Sequence, residues 1–342
     1  MTSPRFCYVL LAHTDREGLL RQVARIRALS PRAAILVRHE APELIGPADL
    51  DPFGAIDLLS GIPVQWGSWR MVTAALEAYD VSLRLTDAAY VVLVSGQDYP
   101  IRDLAAWEQG VIASGADALL DPMPADLRAY ARHYVTFRLP GRLTVAKRAA
   151  HWTMDHVGRL LAPRVELYRM ARTGPERWWF SVPRRSGRPP EGIVKASQWM
   201  TIRRDLLERV LAEAGDGGRH LRHLRTLVVP DEVAVQSLVA RLADRLVMSP
   251  TSAMRFPEGA TSPDWLTPEL VRALARETSA PFARKMPVQG WEAVVAAADA
   301  LSSPQVGVAP SLPEPQTVAD RAAARPGRRP TARGARPVAR NP

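Results

Sequence analysis

Hydrophobic and polar positions alternate in a way that predicts strands and helices in turn over the first 120 residues. Continuous apolar runs at 6–12, 33–37, 89–95 and 116–120 are typical of buried parallel strands. Between these runs, apolar residues recur at helical spacing. The clearest helical face comprises Val72, Ala75, Leu76, Tyr79 and Leu83. This alternation predicts an α/β fold with an open, mostly parallel sheet flanked by helices, whose ligand binds beyond the carboxyl ends of the strands.

Beyond residue 120 the pattern changes twice. Residues 121–195 are rich in arginine and aromatic side chains but have little periodicity. They therefore predict long loops with one or two helices, and long loops in a compact domain are usually functional. Regular structure returns with a short strand over 197–202 and a helix over 204–214. A last apolar face predicts a helix that opens at the PDE segment, 230–232, and continues to Leu246.

The C-terminal segment 301–342 differs from the rest in composition. It is rich in Pro, Ala and Arg, and it contains no aromatic residue and no hydrophobic period. Such a segment cannot bury enough apolar surface to offset the entropy of ordering it. We therefore expect a single domain over 1–300, with 121–195 as a loop-rich insertion, followed by a disordered basic tail.

Composition excludes several classes of protein. With 47% hydrophobic and 23% charged residues, the 342-residue chain has the balance of a soluble globular protein. Its lone cysteine, Cys7, allows neither an internal disulfide nor a cysteine-based zinc cluster. The first apolar run is shorter than a secretory signal, and no stretch approaches the ~18 apolar residues of a membrane span. We therefore expect a cytoplasmic protein, and the Ala-, Arg- and Pro-rich composition suggests a bacterial one.

The net charge of +10 is a weak argument for nucleic acid, because the tail supplies much of it. Seven arginines lie in 302–342 against two acidic residues. The chain has no recognisable nucleic-acid-binding signature, so we expect no specific nucleic-acid partner. A net positive charge is equally consistent with an enzyme whose substrate carries phosphate groups. Two roles of the tail are left open. It is either a dispensable, solvated segment or a segment that makes weak contact with an acidic membrane surface.

Common cofactor motifs are absent from the sequence. It has no GxGxxG fingerprint, no P-loop and no GxSxG elbow. His220 and His223 have HxxH spacing, but no third ligand completes a metal set. Asp49 and Asp51 form a DxD pattern within a proline-rich loop, whereas a metal-binding DxD should end a central strand. We therefore predict no bound metal and no cofactor.

The segment VSGQDYPIR, 94–102, is the most informative for chemistry. A buried strand ends there in small residues, the chain presents Asp98, and it turns at Pro100. This is the crevice position of an α/β sheet, where small residues let a ligand approach the backbone. The alternative is a capped strand-to-helix turn without a ligand.

Six segments of the chain together resemble a known family. They are YVLLAH (8–13), VQWGSWRMVTAALEAY (64–79), SGQDYPIR (95–102), KASQWMTIRRDLLERVL (195–211), LVVPDEVAVQSLV (227–239) and PFARKM (281–286). In this order they resemble motifs of the core-2/I-branching β-1,6-N-acetylglucosaminyltransferases and the related peptide O-xylosyltransferases, glycosyltransferase family 14. The resemblance implies a GT-A-type glycosyltransferase fold. It also implies an inverting reaction that needs no divalent metal. In this reaction GlcNAc or xylose is transferred from its UDP-sugar to an acceptor hydroxyl.

The resemblance also implies how the leaving group is stabilised. UDP develops negative charge on its diphosphate as the glycosidic bond breaks, and fixed cations must stabilise that charge where no metal does. The family places a Lys of the FARK segment there, here Lys285, with Arg284 beside it. The core-2 enzymes add an upstream Arg, but the corresponding segment 260–265 has none. Arg255 and Arg272 are both open as its replacement.

Inversion requires a base that takes the proton of the attacking hydroxyl. The resemblance assigns this role to Glu232 of the PDE segment. Read without the resemblance, Glu232 is a first-turn carboxylate that interacts with the helix dipole. We expect its neighbour Asp231 to cap the helix that starts there. Asp231, Gln198 and Trp199 are assigned to the acceptor side, Trp199 with core packing as its alternative.

The remaining assignments concern the donor side and the acceptor. Asp98 and Glu40 are expected near the donor, Glu40 at the uridine. Trp66 and Gly67 are expected to shape the donor side of the pocket, although Trp66 could equally be a core residue. The insertion 121–195 is expected to form the acceptor side of the site. Its candidate acceptor contacts are Arg184, Arg185 and Trp178.

The acceptor itself is left open among a polysaccharide precursor, a glycolipid headgroup and a small natural product. The main alternative function is a catalytically silent sugar-nucleotide- or glycan-binding protein of the same fold.

Overall fold

We analysed a computed structural model of the chain. It describes residues 5–64, 67–123, 133–139, 169–172, 178–184, 192–215, 219–225, 229–257, 262–303, 312–317 and 320. None of the helices in these ranges is long and apolar enough to cross a membrane.

The first 120 residues alternate between strands and helices, as the hydrophobic pattern predicts. Their strands are β1 (Phe6–Leu11), β2 (Ala34–His39), β3 (Ile56–Leu59), β4 (Tyr90–Ser95), β5 (Asp98–Pro100) and β6 (Ala118–Leu120). Their helices are α1 (Arg16–Leu29), α2 (Pro47–Leu50), α3 (Trp69–Leu85) and α4 (Leu104–Ser114).

The second part of the chain adds eight described strands and five described helices. The strands are β7 (His133–Leu139), β8 (Arg169–Arg172), β9 (Trp178–Arg184), β10 (Thr201–Arg203), β11 (Arg245–Met248), β12 (Ser252–Ala253), β13 (Phe282–Arg284) and β14 (Gln316–Thr317). The helices are α5 (Arg204–Gly215), α6 (Arg219–Leu224), α7 (Ala234–Leu242), α8 (Pro268–Glu277) and α9 (Glu292–Ser302). A 3-10 turn, Pro230–Glu232, precedes α7.

An eight-stranded mixed sheet forms the centre of the molecule, in the order β14-β11-β6-β10-β4-β1-β2-β3. The strands β4, β1, β2 and β3 are parallel neighbours, as are β6 and β11. The strand β10 runs antiparallel between β4 and β6. The large α/β sheet flanked by helices is therefore confirmed, with antiparallel strands that periodicity alone does not reveal.

Hydrophobic residues pack against both faces of this sheet. On one face, α1 and α4 cover a core that includes Tyr8, Val92 and Trp107. On the other, α3, α5 and α7 bury residues such as Val91, Tyr79 and Leu238. Strands buried on both faces read as continuous apolar runs, which is why the sequence located them.

A second, three-stranded sheet, β12-β13-β5, lies beyond the carboxyl end of β4. Its strand β13 pairs antiparallel with β5 and places Arg284 opposite Asp98. A third core under this sheet includes Tyr99, Leu270 and Ala283, and Phe282 packs edge-on against Tyr8 at 5.8 Å. The small sheet thereby attaches the FARK segment to the main sheet.

Three predictions of local structure differ from the observed fold. The described parts of 121–195 include an antiparallel sheet, β7-β9-β8, where loops and helices were expected. The helix expected to reach Leu246 ends at Leu242, and Leu246 belongs to β11. The second error arises because an apolar residue satisfies the period of a helix and that of a strand when the run is short, and the first because 121–195 have little hydrophobic period to indicate a strand.

The expected tail boundary at residue 300 also differs from the structure. It falls inside α9, which ends at Ser302, and the tail residues Gln316 and Thr317 pair with β11 at the edge of the main sheet. Leu312 packs against the main core. An edge strand is stabilised by backbone hydrogen bonds, so composition does not detect it.

We predict that Phe282→Ala lowers the free energy of unfolding by about 3–5 kcal/mol, the usual cost of removing a fully buried phenyl ring. Urea unfolding followed by circular dichroism measures this change. Leu85→Ala, at a side chain that is 59% exposed, is the matched control and should change stability by less than about 0.5 kcal/mol. Equal effects of the two substitutions would contradict the packing described for β13.

Candidate active site

A cavity of about 510 Å³ opens where β1, β2 and β4 end. His13 follows β1, Glu40 follows β2, and Ser95 ends β4, and all three line the cavity. The opposite wall comes from the 3-10 turn before α7 and from the end of β13. The cavity therefore lies at the carboxyl edge of the parallel strands, where open α/β sheets bind their ligands.

Seven of the residues singled out from the sequence line this cavity: Glu40, Gln198, Trp199, Asp231, Glu232, Arg284 and Lys285. Asp98 and Gly67 do not line it. Trp66 and Arg185 lie outside the described residues, and Trp178 and Arg184 are the two ends of β9. Residues separated by more than 240 positions in the chain thus meet at one site.

Arg284 is held in the cavity wall by two contacts. Its Nε lies 3.4 Å from Oδ1 of Asp98, and its guanidinium carbon lies 4.7 Å from the centre of the Trp199 ring. Trp199 is almost completely buried, so it serves as a platform for the cation and packs in the core, the alternative considered for it. A guanidinium over an indole face is a favourable cation–π arrangement.

Asp98 lies behind the cavity wall. Its side chain is fully buried, and it accepts a hydrogen bond of 3.0 Å from the Ser95 backbone N–H. Burial raises the pKa of Asp98 to about 6, while the Arg284 charge acts against that shift. The structure therefore places Asp98 where it orients Arg284 and the strand-end turn, and not in contact with a ligand in the cavity.

Lys285 contributes the second positive charge of this wall. Its Nζ lies 4.5 Å from the centre of the Trp265 ring. The backbone carbonyl of Lys285 accepts a hydrogen bond of 2.9 Å from Leu266, which fixes the lysine against the segment that carries Trp265. Burial and the nearby Arg284 charge lower the pKa of Lys285. An anion in the cavity would relieve this repulsion between the two cations.

The two arginines considered as a further phosphate contact lie elsewhere. Arg255 makes hydrogen bonds of 2.9 and 3.0 Å to Glu277, and Arg272 lies 3.8 Å from Glu269. Neither lines the cavity. Arg38 does line it, but this guanidinium is 1% exposed and is bound to Glu77 and Ser60.

His13 is a site residue that the functional assignment missed. It follows β1 within the segment YVLLAH and lines the same cavity as both cations. Its pKa is lowered by its partly desolvated position and by the charges of Lys285 and Arg284, and Glu40 acts against this shift. A polar residue directly after a buried strand was the available signal, but sequence alone does not show which charges surround it.

Two neighbouring carboxyl groups on the 3-10 turn have different surroundings. Glu232 is partly exposed, and its Oε2 lies 3.2 Å from the Lys195 ammonium. Asp231 is 8% exposed, and one of its carboxylate oxygens has no hydrogen-bond partner among the described residues. Burial raises the pKa of Asp231 to about 7, its own backbone N–H acts against that shift, and the Glu232 charge adds to it.

The expectation that Asp231 caps α7 is wrong. The residue at the cap position is Val233, and no side-chain cap bond is formed. The amide of Gln236, in the first turn of α7, instead donates to the backbone carbonyls of Asp231 at 2.6 Å and Ser197 at 3.2 Å. The acidic turn is therefore fixed through its backbone, which leaves both carboxyl groups available for other roles.

The other polar positions have local partners. Glu40 accepts a short hydrogen bond from the Val64 backbone N–H, so it joins two loops at the cavity edge. Asp49 of the DxD pattern pairs with Arg16 and accepts a hydrogen bond of 3.1 Å from the Gly46 backbone N–H. Within the described ranges, no group of three or more His, Cys, Asp or Glu side chains could hold a metal ion.

No family model and no curated protein matches the chain. Among solved structures, the bifunctional IspDF from Campylobacter jejuni is 12% identical, with a TM-score of 0.29, over 61% of this chain and 43% of that one. HddC from Yersinia pseudotuberculosis is 9% identical, with a TM-score of 0.27, over 59% and 79% of the two chains.

A putative glucose-1-phosphate thymidylyltransferase from Bacillus anthracis is 9% identical, with a TM-score of 0.25, over 41% of this chain and 61% of that one. This chain thus spans less than half the length of IspDF. Similarities at this level do not assign a function.

We predict that Asp231→Asn raises stability more at pH 8 than at pH 4.5. With the pKa of Asp231 raised to about 7, the folded state binds this proton more tightly than the unfolded chain does. Its contribution to stability is therefore lost as pH rises from about 4 to about 7, by at most about 1.4 kcal/mol per pH unit. Asparagine has nearly the same shape as aspartate but does not ionise in this range, so the Asp231→Asn variant does not lose this stability as pH rises.

Urea unfolding at the two pH values measures the difference between variant and wild type. Asp80→Asn, at an exposed carboxylate paired with Arg84, is the control and should show no such pH dependence. A stability difference for Asp231→Asn that is equal at both pH values would contradict the burial described here.

Proposed function

We propose that the protein is an inverting glycosyltransferase that moves a sugar from a UDP-sugar to an acceptor hydroxyl without a metal. The observation that carries this proposal is the composition of one cavity: Arg284 and Lys285 line it together with the carboxylate of Glu232. Transfer from a nucleotide sugar requires positive charge at the departing diphosphate and a base for the incoming hydroxyl. Both types of group lie here at the ligand-binding edge of an α/β sheet.

The leaving group would be stabilised by Arg284 and Lys285. As the bond between the sugar carbon and the phosphate oxygen breaks, its electron pair passes to the diphosphate. A guanidinium held by Asp98 and Trp199 can bind that charge without first having to reorganise. The partly buried ammonium of Lys285 adds a second fixed charge beside it. This fixed pair is the basis for proposing metal-independent transfer.

The base would be Glu232. The acceptor oxygen forms the new bond to the sugar carbon from the face opposite UDP, and its proton passes to the Glu232 carboxylate. Asp231 suits this role less well, because burial raises its pKa to about 7 and favours its neutral form. Glu232 instead is partly exposed at the cavity, with one carboxylate oxygen 3.2 Å from the Lys195 ammonium.

The resemblance to the core-2/I-branching and xylosyltransferase family supports the choice of donor. It favours UDP-GlcNAc or UDP-xylose and a GT-A-type fold. The acceptor is proposed only by class: a carbohydrate, a glycolipid headgroup or a hydroxyl-bearing natural product. A cytoplasmic location, with weak contact between the basic tail and a membrane surface, belongs to the same proposal.

We predict that the full chain binds one UDP-sugar in the presence of EDTA, and that Lys285→Ala weakens binding about 10- to 100-fold. The loss corresponds to about 1.5–3 kcal/mol for one charged hydrogen bond. Calorimetric titration with UDP, UDP-GlcNAc, UDP-xylose, UDP-glucose and UDP-glucuronate measures it. The chain should be left intact, because its residues 316 and 317 pair with the main sheet.

The matched control is Arg272→Ala, which removes an exposed arginine outside the cavity and should leave the affinity unchanged within about twofold. Binding that appears only with Mn²⁺ would contradict metal independence, and no binding in either condition would contradict the function. A silent binding protein would show the same affinities but would release no UDP from the bound donor.

We also predict that donor binding takes up protons through His13. The charges of Lys285 and Arg284 help to lower the pKa of His13 in the free protein, and a bound diphosphate would compensate them and raise it again. Near pH 6.5, the ordinary pKa of histidine, the imidazole would therefore bind a proton as the donor enters. A UDP-sugar is the suitable probe, because its diphosphate diester does not itself titrate near this pH.

Calorimetry in two buffers of different ionisation enthalpy measures the uptake, which His13→Gln should reduce while UDP-sugar binding persists. Asp98 and Asp231, whose pKa values are raised to about 6 and about 7, account for any uptake that remains. Equal apparent binding enthalpies in both buffers for the wild type would show that His13 is not coupled to the diphosphate site.

A further inference from the structure

Lys195 is a charged residue of the site that does not line the cavity. Its Nζ lies 3.2 Å from Oε2 of Glu232, and the two side chains are 23% and 29% exposed. Glu232 lines the cavity, whereas Lys195 does not. The contact that connects this lysine to the cavity is therefore its ion pair with Glu232.

The ion pair is part of the fold and not a loose surface contact. The backbone N–H of Ala196 donates to the Glu232 carbonyl at 2.9 Å, which joins the lysine segment to the acidic turn. On its other side, the Lys195 carbonyl accepts from Met123 at 3.0 Å, and Ser197 donates to Asp121 at 3.0 Å.

A bond of 3.0 Å from the Val194 backbone N–H to the Ser237 hydroxyl ties the same segment to α7. Because the backbone is fixed on both sides, the pair forms with a smaller loss of conformational freedom than a pair on mobile side chains.

We propose that Lys195 is a positioning residue that orients the Glu232 carboxylate for proton transfer. It binds Oε2 and leaves Oε1 as the oxygen that receives the acceptor proton. The inference rests on the proposed function, because it assigns to Lys195 the orientation of that base. In the transfer step the proton moves from the acceptor hydroxyl to Oε1, the hydroxyl oxygen bonds to the sugar carbon, and UDP departs with the electrons of the broken bond.

The acidic neighbour makes this contact more important. Asp231 adjoins Glu232 in the same turn, and its carboxyl group is buried. Both carboxyl groups line the cavity, and either type of group can accept a proton from a substrate hydroxyl. An ammonium bound to one of them selects which acid is oriented for the reaction, so the Lys195 contact distinguishes Glu232 from Asp231.

Three substitutions test the proposal: Lys195→Met removes the charge, Lys195→Arg keeps it, and Glu232→Gln removes the base. We expect Lys195→Met to lower kcat at saturating donor by about 10-fold or more, as misplacement of a catalytic group does, with the dissociation constant of UDP unchanged within about twofold. Lys195→Arg should retain most of the rate. In the Glu232→Gln background, Lys195→Met should lower the rate no further.

Arg241→Met is the matched control, since it breaks an ion pair between Arg241 and Glu213 outside the cavity and should leave kcat unchanged. Three results would overturn the inference: full activity of Lys195→Met, an equal loss of UDP affinity and kcat, or a further loss in the Glu232→Gln background. A wild type that binds UDP and transfers sugar while Lys195→Met is unaffected overturns this inference alone. A wild type that neither binds UDP nor transfers sugar overturns the proposed function and this inference with it.

Discussion

The candidate site depends on the pairing of β13 with β5. These strands are separated by more than 180 residues of chain, and their register places Arg284 opposite Asp98 at the end of the central strand β4. The carboxylate is fully buried, which raises its pKa, and the guanidinium beside it offsets part of the cost of burial. Main-chain pairing thus sets the distance between the two groups, and their charges make the pairing specific.

Charge is separated within the cavity. Arg284 and Lys285 occupy the wall formed by the end of β13. Two of the three acidic side chains that line the cavity, Asp231 and Glu232, occupy the turn before α7, and the third, Glu40, follows β2. The first wall is fixed by the pairing of β13 with β5 and β12, and the second by the hydrogen bond from the Ala196 backbone N–H to the Glu232 carbonyl. The two walls are therefore held by different parts of the chain. A ligand that is anionic at one end and carries a proton to release at the other matches this separation. That match is the physical reason for favouring a nucleotide-sugar substrate over a uniformly charged one.

The sequence predicted the parts of the fold whose signal is a long apolar run or a long helical face. The strands β1, β2 and β4 and the helix α3 are of this kind. The small sheet could not be predicted in this way, because its strands are two or three residues long and are specified by backbone pairing.

The same distinction applies to the residues of the site. Residue types that a mechanism requires, such as Glu232 and Lys285, can be proposed from motifs, and the structure places both in one cavity. Residues that act through a neighbour carry no such signal. Lys195 is one charged residue among many in the sequence, and its pairing with Glu232 depends on hydrogen bonds that join two distant segments. His13 is similar, because its environment is set by cations that lie more than 270 positions away.

The adjacent acids of the PDE segment show why position in the chain does not determine chemistry. Asp231 and Glu232 differ by one methylene group and share a single turn, yet one is buried with its pKa raised to about 7 and the other is bound to an ammonium at the edge of the cavity. Both acids line the cavity, and on a 3-10 turn successive side chains point about a third of a circle apart. The shorter side chain stays almost completely buried, and the longer one reaches Lys195. The direction of the turn, held by Gln236, therefore gives the two acids different surroundings.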